Sequence, residues 1–303
     1  MTSSEADERP GSPTIATIAD EVGVSIATVS KVLNGRADVA PETRARVEAV
    51  TAAAGVNVVL SQLGGQHHPP QPWLDGVLTG RPLGVVFVMC SPTQPQCQQL
   101  RRQRIPFVVV DTDSATTASV PTVGSNNWNG GLLAARHLLE LGHRRIAIIS
   151  GPRDVLCSRA RVSGFRSAHD EADLPVDPEL VLYGNFYVDA GYEYGLKLLD
   201  RADRPTAVFA GSDLQAMGVL RAARRLGLDV PGQVSVIGYD NLPVAAWTDP
   251  ALTTVNQPLR DMAETATRML LDLARGADLP TSRVDLVTEL VVRETTAPRE
   301  IGR

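Results

Sequence analysis

The sequence predicts an α/β protein with a small all-α head, followed by a two-subdomain core of doubly wound parallel sheets. Two patterns carry this prediction. Up to about residue 55 apolar residues recur every three to four positions, whereas from residue 56 short β-branched runs alternate with amphipathic stretches. The 303 residues are enough for a small module plus one or two core-forming domains.

Residues 14–34 predict two short helices joined by a tight turn. One helical face is formed, at spacing i, i+3, i+4 and i+7, by Ile15, Ile18, Ala19 and Val22. Thr14 is a candidate N-cap, and Gly23 ends the helix because glycine adopts positive φ without steric cost. The second helix turns outward short polar groups and one cation, namely Ser25, Thr28, Ser30, Lys31 and Asn34. Such groups suit phosphate oxygens and base edges, so the pattern predicts a helix-turn-helix with a recognition helix.

A third helix and a polar tail complete the predicted head. The helix begins near Pro41, whose fixed φ suits a first helical position, and it stops at Gly55. Residues 1–12 are polar and acidic and include a proline, which is typical of a disordered tail. We therefore place the helix-turn-helix domain at residues 13–55.

From residue 56 onward, apolar strands alternate with amphipathic helices. The predicted strands are Val56–Leu60, Gly84–Met89, Phe107–Asp111, Ile146–Ser150, Ala207–Ala210, Val234–Gly238 and Val284–Arg293. The predicted helices are Gly131–Leu141, Arg159–Glu171, Gly191–Asp200, Leu214–Leu226 and Asp261–Arg275. Apolar strands spaced by helices imply parallel sheets with helices on both faces, and their number fits two sheets better than one.

Composition excludes several classes of protein. No run approaches the roughly 18 apolar residues of a transmembrane helix, and the polar, acidic N-terminus is unlike a secretory signal, so we expect a cytoplasmic protein without a membrane partner. Cys90, Cys97 and Cys157 lack metal-finger spacing and are expected to be free thiols. The pair His67–His68 lies in a Gly/Gln/Pro-rich stretch without a partner cluster, which favours surface histidines over metal ligands.

The charge distribution gives no support to nucleic-acid binding by the chain as a whole. The formal net charge is −5, and the head from residue 13 to residue 50 carries four cations against five anions. Any affinity of the head for DNA therefore depends on where its charges lie and not on their sum.

Several motifs in order along the chain resemble the LacI (lactose-repressor) family of transcriptional regulators. VSIATVSKVLN at 24–34 resembles the recognition helix of the family, and VAPETR at 39–44 resembles the start of its third helix. LLELGHRRIAIISGP at 138–152 resembles the strand that ends the first half of the effector domain, and RARVSGF at 159–165 the helix that opens the second half. The last three signatures are PTAVFAGSD at 205–213, GYD at 238–240 and ALTTVNQP at 251–258.

The resemblance implies a homodimer, or in some members a tetramer, whose two heads read a pseudopalindromic operator in double-stranded DNA. It also implies a periplasmic-binding-protein-like core that senses a sugar or nucleobase in a cleft. Residues 56–303 would be the effector-binding and dimerisation domain, with one subdomain at about 56–150 and 256–282 and the other at about 151–255 and 283–297. The expected function is that of a repressor controlled by a small molecule, most simply a sugar, with no catalytic residue, cofactor or metal.

Positions that match the family assign the DNA contacts. Ile26, Ala27 and Lys31 occupy positions that face base edges, and Lys31 can donate to guanine O6 or N7. Because Ile26 and Ala27 offer only apolar contact, we expect modest base-specific hydrogen bonding from this helix. The positions that match phosphate contacts are Thr14, Ser25, Thr28, Ser30, Asn34 and Thr43, and some of these side chains are alternatively only helix caps.

Two charged residues are the leading effector contacts. Asp240 follows an apolar strand at its carboxyl end, where ligands bind in open α/β sheets, and Arg161 can donate a fork of hydrogen bonds; together they suit a polyol or sugar ring. Phe186 matches an aromatic position against the ligand and is alternatively a packed loop side chain. Ser212 stands where many relatives carry asparagine, and Trp128 is either a stacking platform or a packing residue.

The junction after the head departs from the family pattern. Relatives carry a hinge helix, a strand and most of a helix between the third helix and the second strand of the core. Here AAAGVNVVL at 52–60 runs directly from one to the other. By this interpretation the chain lacks the hinge helix, which in relatives enters the minor groove, and the first effector-domain strand.

Two other functions compete with the regulator. A degenerate family member could bind a sugar-like ligand without regulating DNA, and the altered junction favours that alternative. An enzyme on a doubly wound fold is disfavoured because the sequence holds no Gly-x-Gly-x-x-Gly, phosphate loop or nucleophile elbow.

Overall fold

A computed structural model describes residues 59–63, 68–111 and 120–299, together with the single positions Ala19 and Val22. The chain divides into two units, residues 1–66 and residues 67–303. In the first unit Ala19 and Val22 are helical and buried, as the predicted apolar face requires. The rest of the predicted head lies outside the described residues.

The first sheet of the second unit has four parallel strands in the order β1-β2-β3-β9. The strands are β1 (Val85–Val88), β2 (Phe107–Val110), β3 (Thr122–Ser125) and β9 (Arg283–Leu286). Helices α1 (Gln71–Gly80) and α2 (Gln94–Arg102) cover one face, and α7 (Leu259–Ala274) covers the other. These elements form what we name the first subdomain.

The second sheet has six strands in the order β10-β8-β7-β6-β4-β5, of which only β10 is antiparallel to its neighbour. The strands are β4 (Ile146–Ser150), β5 (Val181–Tyr183), β6 (Ala207–Ala210), β7 (Ser235–Asp240), β8 (Thr253–Asn256) and β10 (Glu289–Val291). The helices are α3 (Asn127–Glu140), α4 (Leu156–Glu171), α5 (Val188–Leu199) and α6 (Asp213–Arg225). These elements form the second subdomain.

Alternation along the apolar strands builds the two cores of the second subdomain. Ile146 and Ile148 pack with α3 and α4 on one face of the sheet, while Ala147 and Ile149 pack against α5 and α6 on the other. Helices α3 and α4 approach so closely that a Cβ at Gly131 would lie 2.1 Å from the carbonyl oxygen of Arg161. That approach fixes α4, and with it the Arg161 side chain, on the second sheet.

Along the described residues the chain crosses between the two sheets three times, after β3, after β8 and after β9. Two of these crossings are joined directly. The amide of Asn126 donates to the carbonyl of Leu286 (2.8 Å), and the hydroxyl of Thr288 donates to the carbonyl of Asn126 (3.2 Å). The subdomains are therefore connected by a bundle of short adjacent segments.

The predicted fold class is confirmed, with differences in detail. Ile146–Ser150, predicted to end the first subdomain, pairs with β5 and β6 in the second sheet. The predicted strand Val284–Arg293 is two strands, because the chain crosses between sheets at residues 287–288. Of the predicted strand Val56–Leu60, Val59 and Leu60 lie outside any strand and the other residues are not among those described.

No helix in the described ranges is both long and apolar enough to span a membrane.

Candidate effector site

The candidate site lies at the carboxyl ends of strands from both sheets. Asp111 follows β2 of the first subdomain, and Asp240 ends β7 of the second. Gly211 and Ser212 follow β6, beside the start of α6. Open α/β sheets bind ligands outside these strand ends, so the fold brings candidate groups from the two subdomains to one place.

Arg161 is the central group of the site. It projects from α4 and is 3% exposed. Its Nε donates to Asn127 Oδ1 (2.8 Å), one terminal nitrogen donates to the carbonyl of Gly211, and the other donates to Gln257 Oε1 (3.0 Å). A guanidinium has five N–H donors, so these bonds leave two N–H groups that bind no described residue.

Asp240 offers an acceptor next to that guanidinium. Its Oδ1 lies 4.0 Å from Arg161 Nη1, and no hydrogen bond to its carboxylate involves a described residue. Burial raises the pKa of Asp240 to about 7, with Asp213 and Asp111 adding to the rise and Arg161 opposing it. The backbone at Asp240 is left-handed (φ 109°), a strained conformation for a residue with a side chain and one that is typical of functional sites.

Asp111 faces the same group from the first subdomain. It is buried and accepts a hydrogen bond from Gln257 Nε2 (2.6 Å). Burial raises the pKa of Asp111, and the positive charge of Arg161 together with the hydrogen bond from Gln257 lowers it. The carboxylates of Asp111 and Asp240 thus share one guanidinium, which makes the site rich in acceptors.

Aromatic rings enclose Arg161 on two sides. Its guanidinium carbon lies 3.6 Å from the ring centroid of Tyr239 and 5.5 Å from that of Phe186. The Phe186 ring packs on Gly151, where any Cβ would lie 2.0 Å from it. Phe186 is half-buried at a left-handed position (φ 65°), so its ring is set at the site by the backbone.

Ser212 and Asp213 act within the protein. The Ser212 hydroxyl donates to the carbonyl of Phe186 (2.7 Å) and accepts from the amide of Gln215 (3.0 Å) as the N-cap of α6. Asp213 accepts from the Thr254 hydroxyl (2.5 Å) and the amide of Leu242 (2.7 Å). Both hold the loops around Phe186 and Asp240, and burial raises the pKa of Asp213 to about 6.

Trp128 lies apart from this cluster in its described contacts. It is the second residue of α3, the residue is 42% exposed, and no described contact joins it to Arg161 or Asp240. The predicted DNA contacts all lie outside the described residues: Thr14, Ser25, Ile26, Ala27, Thr28, Ser30, Lys31, Asn34 and Thr43.

Sequence reasoning missed four members of the cluster. Asp111 carried the same signal as Asp240, because it also ends an apolar strand. Tyr239 is the neighbour of Asp240 on β7. Asn127, at the start of α3, and Gln257, between β8 and α7, gave no comparable signal, since an amide at such a position becomes informative only when the two crossings are known to be adjacent. Across the described residues no group of three or more His, Cys, Asp or Glu is arranged to hold a metal ion.

Two family models match the chain. Residues 14–55 match the bacterial regulatory proteins of the lacI family, and residues 135–296 match a periplasmic binding protein-like domain. The HTH-type transcriptional repressor PurR of Salmonella arizonae is 40% identical over 214 residues, which are 70% of this chain and 63% of the repressor. The alignment therefore spans less than two thirds of the length of the curated relatives. Those relatives are transcriptional repressors and not enzymes.

Solved structures of LacI-type regulators share the fold. A transcriptional regulator CelR–cellobiose complex is 31% identical with a TM-score of 0.71, covering 93% of this chain and 99% of that chain. A LacI family regulator from Enterococcus faecium with bound ribose is 29% identical with a TM-score of 0.69, covering 76% and 85%. CcpA of Lactococcus lactis is 25% identical with a TM-score of 0.74, covering 94% and 96%.

Proposed function

We propose that this chain, which belongs to the LacI family of bacterial regulatory proteins, is a DNA-binding transcriptional repressor controlled by a small molecule. The observation that carries the proposal is the Asp240–Arg161 pair of the second subdomain, which meets the charge of Asp111 from the first, in a chain whose residues 14–55 match the DNA-binding head of the family. Operator binding would place the protein at the nucleoid, in the cytoplasm.

The chemistry of the site supports a sugar as effector. Asp240 presents a carboxylate that binds no described donor, and Arg161 retains two N–H groups, so vicinal hydroxyls could bridge them. The Phe186 ring supplies an apolar surface for a sugar ring. Two structural neighbours are complexes with cellobiose and with ribose, which supports the same class of ligand here. Ser212 would act by holding Phe186, and Trp128 would contribute only at the rim.

On the DNA side we propose a homodimer that reads a pseudopalindromic operator with two recognition helices. Lys31 is the base-reading cation, Ile26 and Ala27 give apolar contacts, and the polar positions around them bind phosphates. Because Lys31 and Lys197 are the only lysines, the chain provides its own control: Lys197 lies on α5 and is exposed.

The DNA-binding half of the proposal is tested by selecting duplexes from a random pool and measuring their affinity. Lys31→Ala should weaken binding to the selected operator at least tenfold, and Lys197→Ala should leave it unchanged. Affinity should also fall steeply as salt rises, because phosphate contacts release counterions. Absence of any selected duplex, or equal losses from both substitutions, would contradict this half.

The effector half is tested by calorimetry with ribose, cellobiose and a nucleobase. Asp240→Asn keeps the shape of the side chain but replaces an oxygen acceptor with a donor, so it should weaken sugar binding at least tenfold. Asp278→Asn, at an exposed carboxylate, serves as the matched control. Binding that is indifferent to Asp240→Asn would remove Asp240 from the site.

A second candidate is a sugar-binding family member that does not regulate DNA. The continuous run AAAGVNVVL at 52–60, in place of a hinge, favours it. Sugar binding without any selected operator would establish this second candidate in place of the first.

A further inference from the structure

One buried amide connects the two subdomains behind the effector site. Gln257 directly follows β8 of the second sheet and precedes α7 of the first subdomain, so it lies on the second crossing of the chain. Its side chain is 4% exposed. Its Oε1 accepts from Arg161 (3.0 Å), while its Nε2 donates to Asp111 (2.6 Å) and lies 3.6 Å from Met262 Sδ.

The two ends of this amide are fixed to different subdomains. Arg161 projects from α4 of the second subdomain and can only donate, so it determines which end of the amide faces it. Asp111 follows β2 of the first subdomain and presents the carboxylate that accepts from the other end. All three residues of the resulting chain of contacts, Asp111–Gln257–Arg161, are buried. In a buried environment an unpaired charge is costly, whereas a fully paired hydrogen-bond network is rigid.

We propose that Gln257 is a positioning residue that holds the effector cleft closed by clasping Asp111 to Arg161. The clasp also aims the Arg161 guanidinium: with Nη2 committed to Gln257, the remaining N–H groups are left for Asp240 and an effector. Its role in regulation rests on the proposed effector site, but the clasp itself is a property of the core and can be measured without DNA or sugar.

Cys157, which lies on α4 one turn before Arg161, is the probe for opening of the cleft. Cys157 is 4% exposed, and the charges that act on its thiol include Arg161, Asp111 and Asp240, which come from both subdomains. Burial raises the pKa of Cys157 to about 11, so the closed form should react slowly with maleimide. Cys97, buried in the core of the first subdomain, reports unfolding and not cleft opening.

Gln215 offers a matched control for a substitution at Gln257. It is also fully buried and also donates through Nε2, to the carbonyl of Ser150 at 3.1 Å. Its bond joins α6 to β4, and both elements belong to the second subdomain. Gln257→Leu and Gln215→Leu therefore remove the same chemical group, but only the first removes a contact between subdomains.

The experiment labels the full chain with N-ethylmaleimide and follows Cys157 and Cys97 separately by mass spectrometry of their peptides. Gln257→Leu should speed the labelling of Cys157 at least tenfold over Gln215→Leu, with no change at Cys97. Equal rates at Cys157 in the two variants would overturn the proposal. So would parallel acceleration of Cys97 and Cys157, which indicates unfolding.

A charge swap supplies a second test that does not depend on the leucine variant. Gln257→Glu places a carboxylate against Asp111 and should open the cleft, so that Cys157 reacts at least tenfold faster. Combining it with Asp111→Asn restores a donor facing an acceptor and should bring the rate back to within about threefold of the original chain. Failure of the double variant to recover would contradict the clasp, whereas failure of the operator selection would leave this result unaffected.

Discussion

The two sheets differ in how completely they enclose their own cores. In the second sheet β4 and β6 are buried along their whole length, with helices on both faces. In the first sheet β2 is equally buried, but the outer strand β1 leaves Val86 39% and Val88 62% exposed. The second subdomain is therefore the platform with the larger helix-covered core, although its outer strands β5 and β10 are partly exposed, and it carries Arg161, Asp240 and Phe186.

The first subdomain contributes to the site through contacts with side chains of the segments that cross between the sheets. Asp111 reaches the cluster from this sheet by accepting a hydrogen bond from Gln257, and a side-chain hydrogen bond with Asn127 also lowers the pKa of Asp111. The second subdomain therefore supplies most of the side chains of the candidate site, whereas the first supplies Asp111. Substitutions that compare the two sheets test this view.

The largest expected contrast is between matched core and edge substitutions. Phe209 is fully buried on β6 beside Tyr239, so Phe209→Ala should cost about 3–5 kcal/mol of unfolding free energy. Val86→Ala on β1 should change it by about 0.5 kcal/mol. Urea denaturation measures both values. Similar costs for the two would break the distinction between platform and edge.

A pair of helical glycines gives a smaller contrast of opposite sign. Gly131 on α3 has no room for a Cβ, since the carbonyl of Arg161 would be 2.1 Å away, whereas Gly76 on α1 has nothing within 4 Å. Gly131→Ala should destabilise the chain by about 1–3 kcal/mol through overpacking, and Gly76→Ala should stabilise it by about 0.5–1 kcal/mol. Thermal unfolding of the two variants measures both changes in stability. Stabilisation by Gly131→Ala would show that α3 and α4 can separate freely.

The pH dependence of stability gives the smallest effect. Because burial raises the pKa of Asp240 from 3.8 to about 7, the folded chain holds a proton that the unfolded chain releases between those values. The stability linked to this group is therefore greatest below about pH 4 and is lost as the pH rises through 7. We therefore compare the free energy of unfolding of Asp240→Asn with that of the original chain at two pH values. The difference, variant minus original, should be about 1–2 kcal/mol higher at pH 8 than at pH 4. An equal difference in unfolding free energy at both pH values would show that the raised pKa of Asp240 does not cause the effect.

The same contrast explains what could be predicted from the sequence. Strands of the second platform, such as Ala207–Ala210, are uninterrupted apolar runs because helices cover both of their faces. Strand β3 contains Thr122 and Gly124 and is only four residues long, so it gave no strand signal. The boundary between β9 and β10 could not be predicted from the sequence, because it arises where the chain crosses between the sheets.

The site shows the same limit. Asp240 and Arg161 could be placed by the rule on strand ends and by a family motif. Gln257 lies in a short connection and Asn127 begins α3, and the roles of both amides arise from the adjacency of crossings that are far apart along the chain. Such contacts follow from tertiary structure and not from local pattern.

Control of operator binding by a sugar is tested most directly by operator affinity, measured by fluorescence anisotropy with and without a sugar that calorimetry has shown to bind. The dissociation constant for the selected operator should change at least fivefold on saturation with the sugar, and Asp240→Asn should abolish this change at the same sugar concentration. An operator affinity that is identical with and without the bound sugar would contradict control by the sugar.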